Sequence, residues 1–109
     1  MASRIPGWSI AYELDANRKP ILSNATDVYP FPLKKSWVLT PENEISTIFL
    51  GRDHRFGRMG KEDKPILFET MAFTPEGQSN PYRCATYEEA KKIHEEVCEL
   101  VEKKKIQYN

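Results

Sequence analysis

The sequence has no long hydrophobic run and no excess of charge of either sign. No apolar stretch approaches the roughly 18 residues of a membrane-spanning helix. The first 25 residues contain neither the apolar segment nor the small-residue cleavage site of a secretory signal. Sixteen basic residues balance sixteen acidic ones, so no net field attracts the chain to nucleic acid or to an anionic membrane. These absences predict a cytoplasmic protein that does not contact a membrane. They also give no strong signal of nucleic-acid binding.

Cysteine and histidine are scarce, with two residues of each type. Cys98 is expected in a helix that begins near Thr86, roughly 18 Å along the axis from the first turn, whereas Cys84 precedes that helix. Because a disulfide needs Cα atoms within about 7 Å, we expect reduced thiols. No Cys-x-x-Cys unit is present, and His54 and His94 are forty residues apart, so the sequence predicts no metal and no cofactor. His94 is expected to be a core or boundary residue without a function.

A chain of 109 residues is long enough for one domain and too short for two. Its 39% hydrophobic and 29% charged residues are typical of a folded domain. Apolar patterning predicts four strands and a short fifth strand at an edge, at residues 8–14, 36–39, 45–50, 66–73 and 82–84. Residues 24–35 are expected to be irregular, because Pro30 and Pro32 lack the backbone donor that a sheet uses.

The C-terminal residues predict one amphipathic helix. Thr86 and Glu89 have the spacing of a capping box, apolar residues recur at three- and four-residue intervals from Ala90 to Leu100 or Val101, and the helix is expected to run to about Lys103. The predicted fold class is α+β. Residues 1–109 are expected to form a single domain, an antiparallel sheet of four to five strands with one C-terminal helix packed on one face as a two-layer sandwich.

One helix can cover only one face of such a sheet, yet the strand at 66–73 is apolar on both faces. Ile66, Phe68 and Ala72 are predicted on one face, and Leu67, Met71 and Phe73 on the other. Either residues 24–35 or a second copy of the chain would cover the second face. We favour the second copy and therefore expect a homo-oligomer.

The connection 51–65 is fifteen residues long, whereas hairpin loops usually have two to five. Its first eleven residues, 51–61, contain four basic side chains and one acidic side chain, a local charge of +3 in a neutral chain. Arginine binds phosphate and carboxylate in bidentate geometry, so the segment predicts a site for an anionic partner, either a protein surface or a nucleotide. The predicted binding residues are Arg52, His54, Arg55, Phe56, Arg58 and Lys61. The alternative is a solvated hairpin tip whose charges pair with Glu62 and Asp63.

A second hypothesis is a small hydrolase that acts on a phosphorylated or acyl substrate. His54 would be its acid/base, Asp53 or Glu69 would orient that histidine, and Arg52 would hold the anion. Neighbours in sequence point to opposite sides of an extended chain, which favours separate structural roles for Asp53 and His54. Glu69 is expected roughly opposite Thr47, within an apolar strand where a carboxylate needs a partner. The candidate partners are Arg52, His54 and Arg83.

Three stretches of the sequence resemble one family. They read STIFLGRDHRFG from Ser46, PILFETMAF ending at Phe73, and YRCATYEEA from Tyr82. They are similar to the patterns STxFLGxDHxFG, PxLFETMxF and YxTxEEA of a family of small uncharacterised proteins encoded by phages and bacterial prophages. The most specific positions are Gly51, Asp53, His54, Phe56, Gly57, Phe68, Glu69, Thr70 and Met71. The chain departs from the family pattern in the insertion 58–64 and at Tyr87, where tryptophan is usual.

This resemblance implies a phage origin and the role of a small accessory protein that binds or inhibits host components. The main interpretation is therefore a non-enzymatic binding module without catalytic residues. It would act in the host cytoplasm and hold a host protein surface or a nucleotide signal through residues 51–61.

Overall fold

The structure, a computed structural model, describes residues 11–24, 28–52 and 65–109. Within these residues the chain forms seven strands followed by one helix. They are β1 (Tyr12–Leu14), β2 (Pro20–Leu22), β3 (Phe31–Trp37), β4 (Glu44–Phe49), β5 (Phe68–Thr74), β6 (Gly77–Gln78), β7 (Tyr82–Cys84) and α1 (Tyr87–Glu102). The predicted fold class is confirmed, because α1 packs on one face of an antiparallel sheet. The first part of the predicted strand 8–14 lies outside the described residues.

Five strands form the main sheet. Its order is β3-β4-β5, and the far edge of β5 pairs with β7 near its start and with β6 near its end. Thr47 lies opposite Thr70, and Ile48 lies opposite Glu69. The predicted pairing of Glu69 with Thr47 is therefore wrong by one residue. Because successive strand residues point to opposite faces, this shift puts Thr47 on the helix side and Glu69 on the other side.

β3 corrects the interpretation of residues 24–35 as irregular, which is wrong from Phe31 onward. In the described sheet β3 pairs only with β4, so it is an edge strand. A proline is tolerated at an edge, where its missing N–H costs no ladder hydrogen bond. The pairing shifts register between Pro32 and Lys34, and Leu33 packs partly buried against the core. The edge position explains how a proline-containing segment forms a strand.

β1 and β2 form a separate two-stranded sheet, of which the sequence predicts only the first strand, within residues 8–14. The Asp15 carboxylate accepts the backbone N–H groups of Asn17 and Lys19 at 2.8 and 2.9 Å, which closes the turn. Arg18 within this turn adopts the left-handed conformation with φ of 65°.

Gly51 joins this small sheet to the end of β4. The Tyr12 N–H donates to the Gly51 carbonyl at 2.8 Å. Gly51 has φ of 80°, and a Cβ there would collide with the Val28 side chain. A glycine is thus required at the point where the basic segment begins.

α1 begins with the predicted capping box. The Thr86 hydroxyl accepts the Glu89 N–H, and the Glu89 carboxylate accepts the Thr86 N–H. The buried side chains of the helix lie on one stripe and are Ala90, His94, Val97 and Val101. They pack on β4, β5 and β7. The predicted helix is confirmed to within one residue at each end.

The core lies between α1 and the sheet in two clusters of buried side chains. One contains Ile45, Ala72, Val97, Val101 and Ile106, and the other contains Phe49, Leu67, Phe68, Cys84 and Ala90. Leu67 is fully buried in the second cluster, so its predicted place on the opposite face is wrong. It precedes the first residue of β5, and the strand alternation does not extend to it.

The face of the sheet opposite α1 carries exposed aromatic side chains. Trp37, Glu44 and Phe73 lie in one row across β3, β4 and β5. The Trp37 side chain is 58% exposed and that of Phe73 is 37% exposed. No helix among the described residues covers this face. In the same residues no helix is long and apolar enough to cross a membrane, and both cysteines are free thiols.

Candidate functional site

Two of the predicted site residues lie in the described part of the chain. Arg52 is half-buried directly after Gly51, and its backbone bridges to Ala11. Glu69 is bound by Arg83, whose Nε donates to Oε2 at 2.9 Å. Arg83 was one of its three candidate partners, so that pairing is confirmed. The others, Asp53, His54, Arg55, Phe56, Arg58 and Lys61, lie outside the described residues.

The Glu69 side chain is 14% exposed, and its carboxylate is engaged by a guanidinium on the neighbouring strand. This geometry is that of a structural ion pair, in which the charge of a half-buried carboxylate is compensated. Glu69 on β5 and Arg83 on β7 are directly opposite one another, so the pair also links two strands. It gives Glu69 a structural role and does not favour the hypothesis that Glu69 orients His54.

Two positive side chains lie against Tyr87 at the end of the sheet where β4 leads into Gly51, and the acidic Glu88 and Glu89 follow Tyr87 in the first turn of α1. The Arg18 guanidinium lies 5.7 Å from the centre of the Tyr87 ring, and the Lys91 ammonium lies 5.0 Å from it. Both distances are typical of cation–π contacts. Tyr87 in turn contacts Phe68, at 6.4 Å between ring centres. Since Phe68 pairs with Phe49, two residues before Gly51, these cations lie at the same end as Arg52.

A cleft opens beside this cluster, between β3 and the first two turns of α1. Its volume is about 310 Å³. Its lining residues are Leu33, Lys34, Thr47, Tyr87, Ala90, Lys91, His94 and Glu95. The Lys34 ammonium, on β3, and the Glu95 carboxylate, on α1, are 3.1 Å apart and join the two walls at the rim. Both side chains of this pair are more than half exposed, so the pair adds little to stability.

His94 lies at the floor of the cleft and is 1% exposed. Its Nε2 is 2.8 Å from the Ser36 hydroxyl, and its Nδ1 is 2.7 Å from the Thr47 hydroxyl. Thr47 also contacts the Thr70 hydroxyl at 2.6 Å. One ring nitrogen of a neutral imidazole donates and the other accepts, so these hydroxyls satisfy both. The chain of four polar side chains links α1 to β3, β4 and β5.

The electrostatics around His94 favour the neutral ring. Burial lowers its pKa below the usual 6.5, and the Lys34 ammonium lowers it further, while Glu95 acts in the opposite direction. Burial costs the imidazolium cation more solvation energy than it costs the neutral ring. Burial therefore lowers the pKa of His94, and it is the largest of the three effects. Near neutral pH the floor of the cleft is therefore uncharged.

The hydroxyl and thiol groups near His94 are placed for structure rather than for nucleophilic attack. Ser36 contacts an imidazole as a catalytic serine does, but it does not line the cleft, and Nδ1 contacts a hydroxyl instead of a carboxylate. Burial raises the pKa of the Cys98 thiol, although its hydrogen bond to Ser36 lowers it. Burial also raises the pKa of Cys84 to about 11, with a smaller contribution from Glu89. Both thiols are protonated at neutral pH and hence weak nucleophiles.

A larger cavity, of about 400 Å³, lies at the opposite end of the sheet. The end of α1 and the turn between β3 and β4 form it together, and its rim carries Glu42 and Glu76 against Lys104. The excess of carboxylate there does not favour an anion. Among the described residues, no cluster of three His, Cys, Asp or Glu side chains is arranged to hold a metal ion.

The prediction that His94 is a core or boundary residue is confirmed, since it is 1% exposed, whereas its hydrogen bonds to Ser36 and Thr47 were not predicted, although one signal was present. His94 falls four residues after Ala90 and three before Val97, on the apolar stripe of the helix. A buried imidazole requires hydrogen-bond partners, so this position predicts polar groups on the facing strands.

Comparisons with protein-family models, with curated proteins and with solved structures found no match for this chain.

Proposed function

We propose that the protein is a non-enzymatic binding module, a small accessory protein of phage type, that holds an anionic partner at the basic end of its sheet. The observation that carries the proposal is the clustering of basic residues in the sequence segment 51–61. Residues 51–61 have a local charge of +3 in a neutral chain, and Arg18 and Lys91 add two cations around Tyr87. A local field of one sign attracts an oppositely charged partner even when the net charge is zero.

The proposed contacts combine charge with bidentate geometry. Guanidinium groups bind carboxylate and phosphate oxygens through two parallel hydrogen bonds. The residues proposed to make these contacts are Arg52, His54, Arg55, Phe56, Arg58 and Lys61. The partner class is an acidic host protein surface or a nucleotide signal, and the site of action is the host cytoplasm, as the resemblance to phage proteins implies. The hydrolase hypothesis has weaker support, since the Glu69 carboxylate is occupied by Arg83.

We propose further that the protein works as a homo-oligomer through the face opposite α1. Trp37 and Phe73 are both exposed there, and Met71 is half-buried between them and Glu69 along the same face. Exposed aromatic side chains on one flat sheet face are typical of an interface. A second copy of the chain would remove them from water.

A thermal-shift panel tests the anion proposal. The probes are pyrophosphate, ATP, a cyclic dinucleotide and a glutamate-rich peptide, each titrated at low salt and again at about 0.3 M NaCl. At least one is expected to raise the melting temperature, because a ligand at 100 times its Kd stabilises the folded state by about 2.7 kcal/mol. The shift should shrink at the higher salt concentration. An unchanged melting temperature with all four probes at millimolar concentration would contradict the proposal.

A further inference from the structure

The cleft between β3 and α1 has the size and the walls of a small-molecule site. Its volume of about 310 Å³ is at the lower end of the ~300–1,000 Å³ range of ligand pockets. Leu33, Tyr87 and Ala90 supply apolar walls on both sides. An apolar cavity of about 150 Å³ is enough to hold benzene. The cleft therefore has room for one aromatic ring and a short substituent.

The floor of the cleft consists of polar groups that bond to one another. Both ring nitrogens of His94 lie at hydrogen-bond distance from hydroxyls, and Thr47 contacts Thr70 as well as His94. Covering satisfied polar groups with an aromatic ring breaks no hydrogen bond, whereas covering unsatisfied ones would be costly. The floor also carries no charge near neutral pH, because the pKa of His94 is lowered. It is thus compatible with an apolar ligand body.

The rim of the cleft supplies one positive charge in excess. Lys34, Lys91 and Glu95 line it, which is two ammonium groups against one carboxylate. Glu95 is 3.1 Å from Lys34, whereas the Lys91 ammonium lies over the Tyr87 ring. Lys91 can therefore receive an anionic group from a ligand whose ring lies in the cleft. Because the Lys34 charge is paired with Glu95, Lys91 is the one ammonium group among the lining residues left for a ligand, which matches a monoanion better than a dianion.

We propose that this cleft binds a small aromatic monocarboxylate. The ring lies between Leu33 and Ala90, above His94, and the carboxylate contacts the Lys91 ammonium. This site does not include residues 51–61 and rests on described residues alone, although Lys91 also belongs to the pair of cations around Tyr87. The larger cavity at the other end of the sheet is excluded as the anion site by the carboxylates of Glu42 and Glu76.

Phenylacetate is the probe for this proposal, titrated into ¹⁵N-labelled full-length protein and followed by two-dimensional NMR. We expect saturable shifts of the Tyr87, Ala90, Lys91 and His94 amides with a Kd of about 1 mM, as for a ligand of about ten non-hydrogen atoms. Phenylacetamide, which has the same shape without the charge, should bind about two- to fivefold more weakly. Phenyl phosphate, a dianion, should not bind more tightly than phenylacetate.

Lys91→Gln is the test variant, and Lys92→Gln, one residue further along the exposed side of the same helix, is the matched control. Lys91→Gln should weaken phenylacetate two- to fivefold and leave phenylacetamide unchanged, and the Lys92 variant should bind both as the wild type does. Shifts that map away from the cleft, equal effects of the two variants, or tighter binding of phenyl phosphate would overturn the proposal. The variant Arg52→Gln/Arg55→Gln/Arg58→Gln should keep the phenylacetate affinity. A loss there would assign phenylacetate to the basic segment instead.

Discussion

His94 joins the helix to two strands through hydroxyl groups. Its ring lies 2.8 Å from Ser36 on β3 and 2.7 Å from Thr47 on β4. An aliphatic side chain at position 94 would pack with the helix rotated to any of several angles about its axis. Two directional hydrogen bonds are formed at only one of those angles. The network therefore contributes to the specificity of helix docking as well as to stability.

Replacing His94 with glutamine should lower the free energy of unfolding by about 1–3 kcal/mol near pH 7.5, because at least one buried hydroxyl loses its partner. It should also change the response to acid. The folded-state pKa of His94 lies below the usual 6.5 of an unfolded histidine, so the unfolded chain binds the proton more readily. The contribution of His94 is then complete above about pH 6.5 and is lost as the pH falls below that value. Urea unfolding from pH 7.5 to pH 5 measures both effects.

His54→Gln is the matched control, since His54 and His94 are the two histidines of the chain. The His54 variant should keep the loss of stability below pH 6.5, and the His94 variant should show a smaller loss. If removal of His54 instead flattened the pH dependence, the buried-imidazole account of His94 would be wrong.

The partners of His94 explain why this network was not predictable. Ser36 and Thr47 are 58 and 47 residues away in sequence, and both become partners only through the register of β3 and β4. A shift of one residue in that register would place the two hydroxyls on opposite faces of the sheet. The predicted pairing of Glu69 with Thr47, across β4 and β5, is likewise wrong by one residue. That pairing puts Thr47 and Glu69 on the same face, whereas in the structure Thr47 lies opposite Thr70 on the helix side.

At the scale of elements, α1 was predictable because its signals are local. Thr86 and Glu89 of the capping box are three positions apart, and the apolar stripe repeats along sixteen residues of helix. β3 was not predictable in the same way, because its sequence contains Pro32 and its strand geometry depends on an edge position. β2, with three residues, has too short a pattern to predict. Whether a strand lies at an edge depends on its neighbours in space, and the local sequence does not encode that position.

Thr86→Ala should lower the free energy of unfolding by about 0.5–2 kcal/mol, since the Glu89 N–H loses its acceptor at the start of α1. Thr86→Ser keeps the hydroxyl and should retain most of the stability. Denaturant unfolding of the two variants and the wild type measures the difference. Equal losses in both variants would show that the cap hydroxyl contributes nothing.

At the scale of the whole molecule, exposed apolar surface and positive charge are on different parts of the protein. Trp37 and Phe73 lie on the sheet face opposite α1, and Arg18 and Lys91 surround Tyr87 at the end of the sheet. The two proposals can therefore be tested with separate variants. Association through the sheet face would leave the basic end accessible to a partner.

The oligomer proposal predicts a mass of at least two chains by light scattering at about 100 µM protein, whereas the monomer is 12.7 kDa. Trp37→Lys/Phe73→Lys should give the monomer mass, because charges on an apolar interface prevent its burial. Leu22→Lys, at a 69% exposed residue of β2, is the control and should leave the mass unchanged. A wild-type protein that stays monomeric at this concentration would contradict the proposal.

Binding of an anion at the basic end of the sheet is tested most directly by two variants matched in charge. Arg52→Gln/Arg55→Gln/Arg58→Gln and Lys92→Gln/Lys104→Gln/Lys105→Gln each remove three positive charges. Calorimetric titration with the probe that gives the largest thermal shift should show the arginine variant weakened about tenfold or more, and the lysine variant within about twofold of the wild type. The melting temperature of each variant is measured alongside, so that a loss of binding is assigned to the site only in a variant that folds. An arginine variant that folds and binds as well as the lysine variant would contradict the proposed function.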